Sequence, residues 1–224
     1  MTRRTMAIVA ALTVLAMLAS GAAAALSTPD GLQLPMHWGL DGKADRIGGK
    51  WPALLAPGAL MALISLLFYF LPSLEPRARN LERSRGLYLR GWASVLIICA
   101  SIQIAVLSAA LGWGLRVNHL VVGALGIAFA VIGNQLGKSR RMYMIGIRTP
   151  WTLASEEVWI RTHRLGGKLM VAGGLLLFAA ALLPLPSGLL GTLLIAVISV
   201  AAAVPVVFSY FAWRREKAEA QPSL

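Results

Sequence analysis

The chain is poor in what a soluble enzyme commonly uses. One cysteine, Cys99, stands among 224 residues, which excludes an internal disulfide and any site built on several thiolates. The three histidines, His37, His119 and His163, lie far apart in sequence. Only 13% of the residues are charged, against about 25% in soluble domains. Such a composition leaves a soluble globule of this length without enough polar surface to cover itself. No HExxH, no GxSxG and no Gly-rich loop ending in Lys-Ser/Thr occurs, so the sequence offers no catalytic residue, no metal ligand set and no cofactor. The nearest approach to a metal cluster is His37 with Asp41 and Asp45. A solvated turn accounts for that group, because Asp41-Gly42 and Gly48-Gly49 are turn dipeptides.

Long hydrophobic runs are present instead. With 58% hydrophobic residues and a mean hydropathy of +0.71, apolar stretches cover 6–26, 53–71, 91–115, 119–137, 169–185 and 188–213. About 20 helical residues at 1.5 Å each cross the ~30 Å hydrocarbon core. The expected fold is all-α: one membrane domain over 1–224, a polytopic bundle of six transmembrane helices in the lipid bilayer. The first run follows Arg3 and Arg4 and ends in Ala22–Ala25, so a cleaved signal peptide competes with a retained span. Its apolar stretch exceeds the ~7–15 residues of a signal core, and a span is the expectation.

Charge gives the orientation, because Lys and Arg accumulate on the cytoplasmic side. With both termini inside, all Lys and Arg except Lys43, Arg46, Lys50 and Arg116 are cytoplasmic. The formal charge of +12 follows from these clusters between apolar runs, and direct nucleic-acid binding is the weaker reading of it. Trp51, Trp92, Trp113 and Trp213 fall at run ends, where an indole prefers the headgroup level. No acidic residue and no Lys or Arg sits in mid-run, whereas ion-coupled transporters usually keep one there. Gln103, Asn134 and Gln135 are the most polar residues of the runs, read either as interhelical hydrogen bonds or as a substrate pathway. Gly133 and Gly137 form a GxxxG, and with Gly123, Gly126, Gly173 and Gly174 they let the later helices approach closely. Pro205 is placed to kink the last helix, and Cys99 reads as a small packing residue.

Two polar segments remain. The outer loop 27–50, with Pro29, Pro35 and several glycines, is too broken for a regular element. In the cytoplasmic loop 138–168, Pro150 biases Thr149 away from helix, and Thr152 or Ser155 can cap a helix whose first turn carries Glu156 and Glu157. A short interfacial helix over 154–164 is expected, with Trp159 towards lipid and Gly166-Gly167 ending it.

These segments carry a resemblance. Leu34-Pro35-Met36-His37-Trp38-Gly39-Leu40-Asp41-Gly42-Lys43-Ala44-Asp45, followed by Lys50, resembles an extracytoplasmic signature of SdpI-type proteins. Gly146-Ile147-Arg148-Thr149-Pro150-Trp151-Thr152-Leu153, then Glu156-Glu157-Val158-Trp159, then Thr162-His163-Arg164-Leu165-Gly166-Gly167, is similar to the most recognisable motif of the same family. The resemblance runs from about residue 30 to the sixth span. It implies a bacterial inner-membrane protein of the SdpI immunity and signalling family, whose best-understood branch protects the producing cell from a secreted peptide toxin and, on sensing it, holds a small winged-helix repressor at the membrane. On that basis Pro35, His37, Trp38, Gly39, Asp41, Gly42 and Asp45 are the candidate ligand-sensing residues. Gly146, Arg148, Thr149, Pro150, Trp151, Trp159, Thr162, His163, Arg164, Gly166 and Gly167 are the candidate partner-binding residues. An interfacial lipid anchor would satisfy the same inner residues as a docking surface. A small-solute transporter and a membrane enzyme are the alternative functions, and the sequence carries no signal for an oligomeric state.

Overall fold

The structure, a computed structural model, describes residues 2–219. In chain order the elements are α1 (Arg3–Ser27), β1 (Gln33–Trp38), β2 (Ala44–Gly49), α2 (Lys50–Leu74), α3 (Ala78–Arg83), α4 (Arg85–Leu111), α5 (Val117–Leu136), α6 (Pro150–Ala154), α7 (Glu156–Leu182) and α8 (Ser187–Glu219). Six of them, α1, α2, α4, α5, α7 and α8, are long and apolar enough to cross a membrane. Large apolar side chains such as Leu15, Leu63 and Leu175 point outwards, an arrangement that is costly in water and not in hydrocarbon. The polar connections gather at the two ends of the bundle, one carrying the β1–β2 hairpin and the other the 137–155 segment.

Close helix contact follows from glycine. A Cβ on Gly167 would lie 2.6 Å from the Gly133 carbonyl oxygen, and one on Gly133 would lie 2.8 Å from that of Gly167. Gly126 and Gly174 face each other in the same way, at 2.7 and 2.5 Å. These two pairs bring the α5 and α7 backbones together, as small residues do in membranes. Gly166-Gly167 therefore does not end a helix. The turns expected at 154–164 are the start of a continuous α7, capped by Ser155, whose hydroxyl accepts from Val158 N. The separate short helix of this segment is α6, one turn earlier.

Elsewhere the interior is apolar with a few polar groups that bond between helices. Gln103 Nε2 donates to the Leu54 carbonyl at 3.1 Å, an interhelical bond rather than a pathway. Trp92 is not at a headgroup level. It is buried among Met6, Met61, Tyr88 and Cys99, stacks on Phe68, and donates its indole N–H to Ser65 Oγ at 3.1 Å.

The segment 27–50 is more regular than its composition implies. β1 and β2 pair antiparallel, from Gln33 opposite Gly49 to Trp38 opposite Ala44, with a bulge near His37. The prolines and glycines are tolerated because each strand has one partner and one free edge. Leu34 fixes the hairpin by packing with Ala24, Ala25, Leu54 and Val106.

Candidate functional site

The end of the bundle opposite the hairpin is held by polar contacts around the inner motif. Thr149 starts α6: its hydroxyl accepts from Thr152 N, and the Thr152 hydroxyl accepts from Thr149 N, a reciprocal capping box with Pro150 at the first turn. The Thr152 hydroxyl also donates to the Ile147 carbonyl at 2.8 Å. The Thr149 hydroxyl meets Ser209 Oγ of α8 at 3.0 Å. Arg141 closes the other end of α6, its guanidinium donating to the carbonyls of Leu153 and Ala154, where helix polarity favours a cation.

His163 locks the loop to α7. Its Nδ1 lies 2.8 Å from the Trp159 carbonyl, and its Nε2 accepts the Ile147 N–H at 2.9 Å. Nδ1 must then carry the proton and the ring is neutral. The ring stacks on Trp159 with centroids 3.9 Å apart, and Trp159 Nε1 donates to Ser139 Oγ at 3.2 Å. Gly146 crosses this pair with φ +124, and a Cβ there would lie 2.6 Å from His163 Nε2 and 2.7 Å from the Trp159 ring. Only glycine fits both the backbone angle and the space.

Trp159, Thr162, His163, Gly166 and Gly167 are therefore interior residues, and Trp159 does not reach lipid. Of the candidate partner-binding residues, Arg148, Pro150 and Arg164 are exposed and Trp151 is half-buried. Arg148 donates to the Tyr143 carbonyl at 2.7 Å. Trp151 packs edge-on against Tyr210 of α8. Arg164 is separate from them, lining a groove between α5 and α7.

One residue that organises the site is not in the motif. Glu75, buried at 4% exposure, accepts the backbone N–H groups of Tyr143 at 2.9 Å, Met144 at 2.7 Å and Arg77 at 3.0 Å. Asn80 adds a bond to the Arg141 carbonyl, and Ser84 accepts from Arg140 N. The sequence signal was slight: a lone acid before Pro76, at the head of an arginine-rich stretch.

At the opposite end the hairpin tip turns at Gly39–Lys43. Gly42 has φ +80, Gly39 N donates to the Lys43 carbonyl at 2.8 Å, and Asp41 Oδ1 accepts from Lys43 N. His37 Nδ1 and Asp45 Oδ1 pair at 2.6 Å on the exposed face. The tip rests on two helix starts: Asn118 Nδ2 of α5 donates to the Leu40 carbonyl at 3.2 Å, and Leu40 lies over Gly191 of α8. Trp38 and Leu40 there roof a cavity of about 270 Å³ reaching down to Val121 and Leu194. At the hairpin base, Lys50 Nζ, itself buried, donates to the Thr28 carbonyl at 2.7 Å and pairs with Asp30 at 3.0 Å.

The model of the SdpI/YfhL protein family matches residues 138–209, from the start of the inner loop to the α8 serine that bonds Thr149. Immunity protein SdpI of Bacillus subtilis (strain 168) is 24% identical over 148 residues, covering 65% of this chain and 67% of that protein. No solved structure matches. The resemblance to the SdpI family is thus borne out: this is a multi-pass membrane protein whose 138–209 segment matches the SdpI/YfhL family, and which is similar over 65% of its length to an SdpI immunity protein.

Proposed function

We propose that the chain is an SdpI-like protein of the bacterial inner membrane, giving immunity to a secreted peptide toxin and/or signalling by holding a small winged-helix repressor at the membrane. The observation that carries the reading is the placement of the two motif segments as ordered structures at opposite ends of one helical bundle. A secreted peptide meets the hairpin end, with Trp38 and Leu40 over the apolar cavity and His37, Asp41 and Asp45 around the tip. A soluble partner meets the other end, where Tyr143, Arg148 and Trp151 beside Pro150 offer aromatic and guanidinium groups, the side chains that most often dominate binding energy. Neither role requires a nucleophile, a metal or a cofactor.

Complementation tests the immunity half. The chain is expressed in a Bacillus subtilis strain stripped of its own immunity protein and grown beside toxin-secreting siblings, and survival is the expected result. Killing as complete as in the empty strain, at equal membrane abundance, removes that half. Co-sedimentation of a candidate repressor with membranes containing or lacking the chain tests the other.

A further inference from the structure

The basic residues at the end of the bundle opposite the hairpin fall into two groups. Some have partners: Arg140 and Arg141 lie beside Glu156, Arg85 beside Glu82, Arg77 and Arg148 bond to Tyr143, and Arg3 and Lys217 lie over the rings of Tyr69 and Trp213. Lys138, Arg164 and Lys168 belong to the second group and share one groove. Among the described residues no side-chain hydrogen bond or ion pair joins any of the three to another residue, and all three are exposed. Their clustering is imposed by the fold. A Cβ on Gly137 would lie 3.2 Å from Arg164 Cα, which sets Lys138 beside Arg164, and Lys168 follows one helical turn on. Like charges at i and i+4 repel weakly, and an anion bound between them would relieve that repulsion.

The three cations line one end of an open groove of about 550 Å³ along the α5–α7 seam. Gly133, Gly137 and Gly167 leave this groove without side chains, and Val171, Ala172 and Leu175 continue it as an apolar channel towards mid-span. A soluble anion would use the cations and leave the channel unfilled. An amphiphile with a phosphate head and an acyl tail uses both, and basic pockets between transmembrane helices are suited to such headgroups. We propose that the α5–α7 groove is a binding site for one anionic glycerophospholipid, its phosphate held by Lys138, Arg164 and Lys168 and one acyl chain lying over Ala172 and Leu175. The site is independent of any toxin or repressor.

Native mass spectrometry of the full chain in neutral detergent, titrated with dioleoyl-phosphatidylglycerol or dioleoyl-phosphatidylcholine, tests it. One phosphatidylglycerol is expected to be retained at least tenfold more strongly than phosphatidylcholine. A basic residue near anionic lipid is worth roughly a factor of five. The K138Q/R164Q/K168Q variant should therefore lose at least tenfold and fall to the phosphatidylcholine level, with helicity by circular dichroism unchanged. The R214Q/R215Q/K217Q variant, which loses the same charge at the same end, should retain the lipid, and Ala172→Trp should displace it with every cation in place. Equal weakening by the two triple variants would show a diffuse positive potential and overturn the site. Displacement of phosphatidylglycerol by equimolar inorganic phosphate, with Ala172→Trp inert, would show a free-phosphate site and overturn the lipid assignment.

Discussion

The Glu75 carboxylate is the most direct place to test how the inner segment is held. Its two oxygens take three backbone N–H groups, at 2.7 to 3.0 Å, from Arg77, Tyr143 and Met144. Glu75→Gln keeps the shape and removes the charge. In its better orientation the amide oxygen still serves Tyr143 and Met144 while its NH2 faces the Arg77 N–H, donor against donor. Hydrogen bonds to a charged acceptor contribute about 1.5–3 kcal/mol and neutral ones about 0.5–1.5, and an orphaned buried donor costs about 1–3. Relief from burying a charge offsets part of this, leaving a local loss of about 2–4 kcal/mol. At about 1.4 kcal/mol per factor of ten, amide exchange at Tyr143 and Met144 in detergent-solubilised protein should speed up by roughly thirtyfold to several hundredfold. Glu82→Gln, at an exposed residue of α3, should leave those amides unchanged. Protection at Tyr143 and Met144 within about twofold of wild type in Glu75→Gln would refute the reasoning, because the segment would then be held by its bonds to Asn80, Ser84 and His163 and by α6, without the Glu75 charge.

Gly167→Ala places a methyl 2.6 Å from the Gly133 carbonyl and should lower unfolding stability by about 1–3 kcal/mol, whereas Gly188→Ala, with nothing within 4 Å, should not; equal midpoints in a thermal melt would reject backbone contact as the basis of the α5–α7 seam. Reporter fusions after residues 45 and 187 should give an external signal and those after 80 and 155 a cytoplasmic one, and an external signal at 155 reverses the proposed orientation. Trp38→Ala and Asp41→Ala should lower protection against the toxin at unchanged membrane abundance; full protection by both variants leaves the hairpin as a structural cap. Arg148→Lys and Trp151→Ala should abolish repressor co-sedimentation with membranes, since a docking surface discriminates side-chain shape whereas a lipid anchor tolerates lysine for arginine. Unchanged recruitment in both returns the segment to an anchor.

The six long helices were legible because hydrophobic length alone specifies a membrane crossing. What ran wrong was punctuation. Gly166-Gly167 reads equally as a helix stop and as a contact surface, and only the partner glycines on α5 decide between them. The hairpin was illegible for a related reason: Pro35, Gly48 and Gly49 argue against a strand in a sheet interior but not in an isolated two-stranded ribbon, and the burial of Leu34 that fixes it depends on α1, α2 and α4. Trp92 was misplaced because its position at a run end is the same for an interfacial anchor and for a core residue one turn inside. α4 begins at Arg85, six residues before the apolar run does, and that extension carries Trp92 into the bundle.

The inner motif was recognisable, but recognition does not separate residues that build the site from residues that face a partner. Gly146, Thr149, Trp159 and His163 form one construction: the glycine passes over the ring pair, the threonine caps α6 and reaches Ser209, and the histidine takes the Ile147 amide. Removing Trp159 opens a cavity under the whole loop, at about 3–5 kcal/mol for an aromatic-to-alanine change in a core, and recruitment lost that way would report on the fold. Docking can be interrogated only at side chains whose removal leaves this lock intact. Trp151 lies outside the lock but contacts α8 through Tyr210, so a folding control belongs with its variant. Among the described residues Arg148 bonds to the Tyr143 carbonyl alone, which is why its replacement by lysine, keeping charge and losing the planar fork, separates a shape-specific partner from a lipid surface most cleanly.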